Sequence, residues 1–415
     1  MSVPKGEREG LMTGTASPAT EKIDPPAATL REVVERLAAI ERGPCSPGER
    51  EAAEWLAERL RAAGVEEVAL EDEPSWGTFP PTATVLSAIG ALGAALTLRG
   101  RRVLGAALAG AALGGLVDEV HNGPRWVRRT FRKRRTTVNV VARLGDPQAE
   151  RTLVVLAHHD AAQTGILFDQ TAVAAFHERF PNVIPHIKTQ PPQWWGALAG
   201  PILGLVAALT GRRTAGRAAL GLGVASTALL GDMWRSEVVP GANDNLTAVA
   251  ALVAFAEMLR ERPLEGLRVW LVSAGAEETL QDGIRAFMDR HRDELPKEST
   301  WFLNLDTIGS PRLVMLEAEG PVRMEYFDEE FRELVWGVAQ ERGLRLERGF
   351  RARASTDAVI PNREGYRTVN VTSLNDYHHL THYHLPTDLP ENVHFETVEE
   401  GTRLTYAVAE RLARA

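Results

Sequence analysis

The sequence predicts an α/β fold: a mixed, largely parallel sheet flanked by helices, into which two hydrophobic helical hairpins are inserted. Three observations predict it. Short β-branched runs (VNVVARL, TLVVLA, LRVWLVSA, TWFLNLD, LVMLEA and YRTVNVT) have the near-continuous apolar character of strands buried on both faces. Amphipathic stretches such as Leu246 to Arg260 and Asp328 to Arg342 separate them, and this alternation is the pattern of strands joined by helices. Two further segments are almost free of charge, and they break the alternation.

Taken in order, the first 27 residues combine Pro, Thr and charge without the apolar core of a signal peptide, so 1–27 is expected to be a disordered tail that starts in the cytoplasm. Leu30, Val33, Val34 and Leu37, then Ala53, Leu56 and Leu60, recur at helical spacing around the turn GPCSPGE, which predicts two amphipathic helices. VEEVALE follows as a strand. The α/β domain is expected to be assembled from 28–75, 136–190 and 233–415. The inserts occupy 76–120 and 190–232. In the first, no residue from Trp76 to Leu98 is charged, and after RGRR a second uncharged run extends from Val103 to Val117. The second repeats the design with Gln190 to Gly211 and Ala218 to Gly231 around a loop bearing Arg212, Arg213 and Arg217.

A membrane span needs roughly 20 apolar residues and at least about 17, so the first run of each pair qualifies and the second falls short. A compact apolar subdomain is therefore expected, packed through small residues such as Gly110, Gly114, Gly200 and Gly204 and attached to a membrane. The competing reading is a soluble hairpin packed on the catalytic domain or in a dimer interface. After the first pair come Arg125, Arg128, Arg129, Arg132, Lys133, Arg134 and Arg135. Such a run beside an apolar segment predicts anionic lipid contact and a catalytic domain on the cytoplasmic face; a solvated basic helix and RNA binding are the alternatives.

Forty-seven Lys and Arg against 55 Asp and Glu give a net charge of −8, which excludes a general nucleic-acid binder. Cys45 is the only cysteine, so an intrachain disulfide and a thiolate metal site are both excluded. The chemistry sits at strand ends. TLVVLA runs into His158 and Asp160, LRVWLVSA into Glu277 and Glu278, and TWFLNL into Asp306. Asp244 lies in PGANDN at a predicted helix start, and His384 lies in HYHLPTD. Imidazoles and carboxylates delivered to one sheet edge build a nitrogen and oxygen metal site, for which zinc is the default and cobalt or manganese the substitutes.

These segments, AHHDA, GANDN, SAGAEE, LNLDTIG and HLPTD, occur in the order found in the M28 zinc peptidases, which the chain resembles. The resemblance implies a zinc aminopeptidase-like fold and two zinc ions per chain. His158 and Asp306 would hold one, Glu278 and His384 the other, and Asp244 would bridge them. It further implies that Glu277 is the general base, that Asp160 orients the His158 ring, and that Tyr383 helps to stabilise the oxyanion. Peptide is the implied substrate; the sequence sets no oligomeric state. Two other readings of the same residues are a transferase like the glutaminyl cyclases and a non-catalytic membrane receptor or scaffold. Asn243, Leu385 and the segment STDAV depart from the family pattern beside the site. The second insert lies between Asp160 and Asp244, so it is expected to roof or border the active site. His378, His379 and His382 crowd the last ligand; His384 is preferred because Pro386 and Asp388 follow it at the family spacing.

Overall fold

A computed structural model describes residues 24–190 and 192–414. Most of the expected tail therefore lies outside the described residues, and its last residue already belongs to a helix. That helix, α1 (Ala27–Ala38), buries Leu30, Val33, Val34 and Leu37, one apolar stripe at the 3.6 period. Helix α2 (Pro47–Ala62) starts on Ser46, whose hydroxyl accepts the Glu49 N–H, with Pro47 pre-set in the first turn. Strand β1 (Glu67–Ser75) carries Glu67, Glu71, Asp72 and Glu73 and takes the sheet edge, where most of it is open to water.

The first insert is a hairpin of α3 (Pro80–Leu98) and α4 (Arg102–Val120), and a short α5 (Trp126–Phe131) returns the chain to the sheet. Strands β2 (Arg135–Gly145) and β3 (Thr152–His158) follow, then α6 (Thr171–Arg179). The second insert is a hairpin of α7 (Trp195–Thr210) and α8 (Arg213–Arg235). After it come α9 (Thr247–Glu261), β4 (Arg268–Ala274), α10 (Asp282–His291), β5 (Thr300–Leu305), β6 (Arg312–Glu319) and β7 (Glu325–Tyr326). The chain ends with α11 (Glu329–Glu341), β8 (Glu347–Ala352), α12 (Val359–Arg363), β9 (Arg367–Leu374) and α13 (Phe395–Arg414).

The strand order is β1-β2-β4-β3-β5-β9-β6-β7, with β8 also paired to β6. The four central strands β4, β3, β5 and β9 are parallel, and every expected strand is present. Strands β7 and β8 are additions: β8 reads ERGFRA, with charge and glycine where a buried strand would have branched residues. Helices α1, α9 and α13 cover one face of the sheet through Val249, Phe255 and Val408, while α10 and α12 cover the other through Phe287 and Ile360. Because β3, β4 and β5 run the same way, their carboxyl ends open on one edge.

The two hairpins pack into one four-helix bundle beside that edge. Close approach depends on Gly93 against Gly105, Gly223 against Ala91, and Gly204 against Ala109. Of the glycines expected at the contacts, Gly200 faces Gly223, but nothing packs against a side-chain position at Gly114. Helices α4 and α8 also outrun their uncharged stretches. They continue through Asp118 and Glu119, and through Asp232 and Arg235, to 19 and 23 residues. At 1.5 Å per residue they are about 28 and 35 Å long, so the second helix of each pair is not short after all.

The basic run behaves differently from its expected solvated or lipid-facing state. Arg125 and Arg128 are fully buried. Arg125 pairs with Asp282 at the start of α10, and Arg128 Nε donates to Glu119 at 2.6 Å. Arg128 Nη1 reaches the carbonyls of Gly77 and Thr279. These residues join the base of the bundle to the catalytic domain; Lys133, Arg134 and Arg135 remain at the surface.

Candidate metal centre

Each proposed ligand is delivered by a backbone that the sequence sets up locally. Strand β3 stops at His158, and β5 ends one residue before Asp306. Beyond β4, Ala276 adopts a left-handed conformation (φ 50°), as do Thr307 (55°) and His384 (54°). Non-glycine residues rarely do so, and their clustering beside these side chains marks a place where surrounding packing holds the backbone against its preference.

The structure brings the five residues together. His158 Nε2 lies 3.4 Å from Asp244 Oδ1 and 3.9 Å from Asp306 Oδ2. His384 Nε2 lies 3.2 Å from Asp244 Oδ2 and 3.3 Å from Glu278 Oε1. The two oxygens of Asp244 thus face different histidines, each accompanied by one further carboxylate. All five side chains are buried. Their donor atoms fit a metal: two ligands bonded at about 2.0–2.1 Å to one tetrahedral ion lie about 3.3 Å apart. Both ring nitrogens of His384 are also buried without a hydrogen-bond partner among the described residues. An orphaned imidazole facing two carboxylates is a metal-ligand arrangement. The neighbouring histidines have other partners, since His378 Nδ1 meets the Ile187 carbonyl and His382 Nδ1 the Thr387 hydroxyl, each at 2.8 Å.

Burial opposes charge on every carboxylate here. It raises Asp306 to about 6, with His158 pulling the other way. Burial also raises Glu277 well above the carboxylate range; His158 counters this while Glu278 and Asp357 reinforce it. Burial would lower His384, but Glu278 and Asp244 carry it up to about 10. In Asp244, burial is outweighed by the His158 and His384 imidazoles beside it, and the carboxyl is depressed. Without a cation the cluster therefore retains protons that a divalent ion would displace.

Asp160 is fully buried and does more than the sequence suggests. Its oxygens accept the N–H groups of Glu277 and Glu278, both at 3.0 Å, and Oδ1 lies 3.5 Å from His158 Nδ1. One carboxylate fixes the turn that carries two of the named residues. Asp388, read in the sequence only as a spacing marker, does the same for Asp244: its carboxylate accepts the N–H of Asn243 (2.8 Å) and of Asp244 (3.1 Å). Asp357 was missed. It lies in the divergent segment STDAV, buried, with both oxygens unpartnered among the described residues, and burial raises it well above the usual range. An acid in that segment was the available signal. Gln281 Nε2 donates to Glu277 Oε1 at 2.6 Å, and the Tyr383 ring stacks on His384 at 3.8 Å between centroids.

A cavity of about 130 Å³ opens beside Glu277, Glu278 and His384. Trp194, Ala197 and Leu230 line it, so the second insert borders the site as its position in the chain suggested.

Solved structures share the fold at low identity. Glutaminyl cyclase from Fimbriiglobus ruber is 14% identical, with 96% of this chain and 99% of that chain covered and a TM-score of 0.54. A zinc-dependent exopeptidase from Parabacteroides distasonis is 13% identical, with 94% and 99% covered and a TM-score of 0.53. An aminopeptidase from Aneurinibacillus sp. strain AM-1 is 12% identical, with 93% of each chain covered and a TM-score of 0.52. No curated protein matches by sequence. Residues 227–409 match the model for Peptidase family M28, a stretch that includes Asp244, Glu277, Glu278, Asp306 and His384, and the chain shares its fold with a zinc-dependent exopeptidase.

Proposed function

We propose that the protein is a two-zinc aminopeptidase attached to a membrane through its inserted bundle. The observation that carries the catalytic reading is the division of Asp244, one oxygen toward His158 and the other toward His384, at 3.4 and 3.2 Å. A bridging carboxylate needs that division. In this reading His158 and Asp306 hold one ion and Glu278 and His384 the other. Divalent ions bound there would supply Lewis acidity to water and to the scissile carbonyl. Glu277 takes the proton from water and delivers it to the leaving amine, with Gln281 fixing one of its oxygens. Asp160 keeps the base and its neighbour in register. Tyr383 lines the same cavity as Glu277, and burial raises its phenol well above the usual value, so it stays protonated and able to donate to an oxyanion.

The test is metal analysis together with a panel of aminoacyl and glutaminyl peptides. Two ions per chain, lost together in Asp244→Ala, and release of N-terminal residues are expected. One tightly held ion with cyclisation of N-terminal glutamine would replace this reading by the transferase, which some structural neighbours favour. Loaded protein with no activity on either would leave a scaffold.

Helices α3 and α4 are long and apolar enough to cross a membrane, and 50% and 33% of an 18-residue apolar stretch in each is buried. The outer surface of the bundle supports insertion. Val85, Leu92, Ile202, Val206 and Val224 are exposed, and the charges of the four helices are confined to their ends. A soluble bundle would carry polar residues along that face. The uncharged band, 14 residues in its shortest helix, is about 21 Å tall against about 30 Å of hydrocarbon, so the arginines at the hairpin tips would have to extend outward to water. Arg125 and Arg128, being buried, drop out of the charge bias that favours a cytoplasmic catalytic domain; Arg129, Arg132, Lys133, Arg134 and Arg135 carry what is left of it. The protein is expected to resist carbonate extraction and to need detergent. Monodisperse full-length protein in plain buffer would show instead that the bundle is a soluble packing element.

A further inference from the structure

Glu277 is tied to the segment that closes the first insert by a row of buried polar side chains, none of them a proposed metal ligand. In the turn after α4, Asn122 and Arg125 both take left-handed backbone conformations (φ 54° and 58°), and Gln281 does the same (66°) just before α10. All three side chains are buried. Backbone of that kind persists only where its surroundings hold it, and here the holding contacts run from one segment to the other. Arg125 pairs with Asp282 through Nη1 and donates through Nη2 to Asn122 Oδ1 at 2.6 Å. Arg285 Nη2 reaches the same oxygen at 3.3 Å and the Asn122 carbonyl at 3.0 Å. Asn122 Nδ2 donates to Gln281 Oε1 at 2.8 Å, and Gln281 Nε2 donates to Glu277 Oε1 at 2.6 Å.

The direction of this row is fixed at its far end. A guanidinium has only donors, so Asn122 must turn its oxygen to Arg125 and Arg285 and its amide N–H groups to Gln281. Gln281, offered a donor, must turn its own oxygen to Asn122, which leaves its N–H groups for Glu277. Ser355 reinforces the same orientation: its hydroxyl donates to Gln281 Oε1 at 3.2 Å, and its carbonyl accepts from Nε2 at 2.9 Å. Resting on the reading of Glu277 as general base, we infer that Asn122 is a positioning residue for the reaction. It passes the orientation imposed by Arg125 through Gln281, so that one oxygen of Glu277 is held and the other is left to take the proton. A base fixed in one geometry reacts from it directly, whereas a loose one spends part of its time elsewhere. Asn122 and Arg125 lie outside residues 227–409, while Gln281 and Glu277 lie inside, so the base is oriented from beyond the stretch that matches the family.

The experiment compares kcat, KM and metal content of metal-loaded full-length protein in detergent for wild type, Asn122→Asp, Gln281→Met and the double variant. Asn122→Asp keeps the shape of the side chain and its contacts with both arginines but has no N–H to offer, so the Gln281 amide has to turn its oxygen toward Glu277. It should lower kcat by about 10- to 100-fold, the range for losing a hydrogen bond to a charged group, with KM and metal content unchanged. Gln281→Met should show a similar loss. In the double variant the two losses should not multiply, because Asn122 acts only through Gln281. Asn122→Ala separates positioning from packing: a residue that only filled space and satisfied the arginines would have its Ala defect repaired by Asp, and here Asp should not repair it. Wild-type kcat in folded Asn122→Asp, or losses that multiply in the double variant, would overturn the positioning role while leaving the base reading intact. Unchanged kcat in Gln281→Met would do the same, and serves if Asn122→Asp does not fold. Wild-type turnover in Glu277→Gln would instead overturn the base reading, a different and recognisable failure.

Discussion

Glu277→Gln should lower turnover by about 10²- to 10⁴-fold while the protein keeps its full metal content. The substitution preserves size, and the amide oxygen can still accept the Gln281 N–H that now reaches Glu277 at 2.6 Å. Only the ability to take a proton is lost. The adjacent Glu278→Gln should behave oppositely, losing metal, because its Oε1 shares a position with His384 at 3.3 Å. Backbone effects are controlled, since both N–H groups are held by Asp160 whichever side chain is changed. Metal analysis beside single-turnover kinetics reads both quantities. If Glu277→Gln lost the metal and Glu278→Gln kept it, base and ligand would have to be exchanged.

The largest stability effect is expected at the base of the bundle, in Asp282→Asn. Asp282 is buried against Arg125 and Arg128, and its Oδ2 accepts the Ser75 hydroxyl at 2.7 Å. Removing its charge leaves two buried guanidinium groups with Glu119 as their remaining close carboxylate. Breaking one side of a buried ion pair typically costs about 3–5 kcal/mol, and that loss is expected in denaturant midpoints measured in detergent. A loss under about 1 kcal/mol would show that the arginines are satisfied by carbonyls alone. The pH dependence has a definite sign. Burial would raise Asp282, but Arg125 and Arg128 outweigh it and hold the carboxyl below its ordinary 3.8. A depressed folded value stabilises above the ordinary value and is lost as pH falls through the folded one. Wild type should therefore lose this increment in acid, and the Asn variant should have none to lose.

The contrast between these two sites explains what could be read in the chain. The proposed ligands were legible because His158, Asp244, Glu278 and Asp306 sit at or just beyond a strand end or before a helix start, where local pattern predicts the element, and because five short segments, including the one that holds His384 in a turn, recur in family order. The carboxylate network around Arg125 and Arg128 was not. A run of arginines looks solvated from its neighbours, and the partner that buries Arg125 is 157 residues away. The Asp160 contacts to Glu277 and Glu278 span 117 and 118 residues and were hidden for the same reason. Helices α4 and α8 were read as short because charge was taken as a boundary, whereas Glu119 has a buried arginine to meet and Asp232 accepts the Ile166 N–H at 2.8 Å. Which glycines meet a neighbour, Gly204 but not Gly114, is a property of the assembled bundle, on which composition is silent.

The route of the chain also sets an order of events during synthesis. His158 and Asp160 are made before the second hairpin; Asp244, Glu278, Asp306 and His384 are made after it. At about 5–20 residues per second, the 226 residues from 158 to 384 take on the order of 10 to 50 s to emerge. Until Asp244 is made, His158 has none of its four proposed co-ligands, and by then both hairpins have been synthesised and can find each other. Under the proposed function, the set of metal ligands is thus complete only after both hairpins have been made.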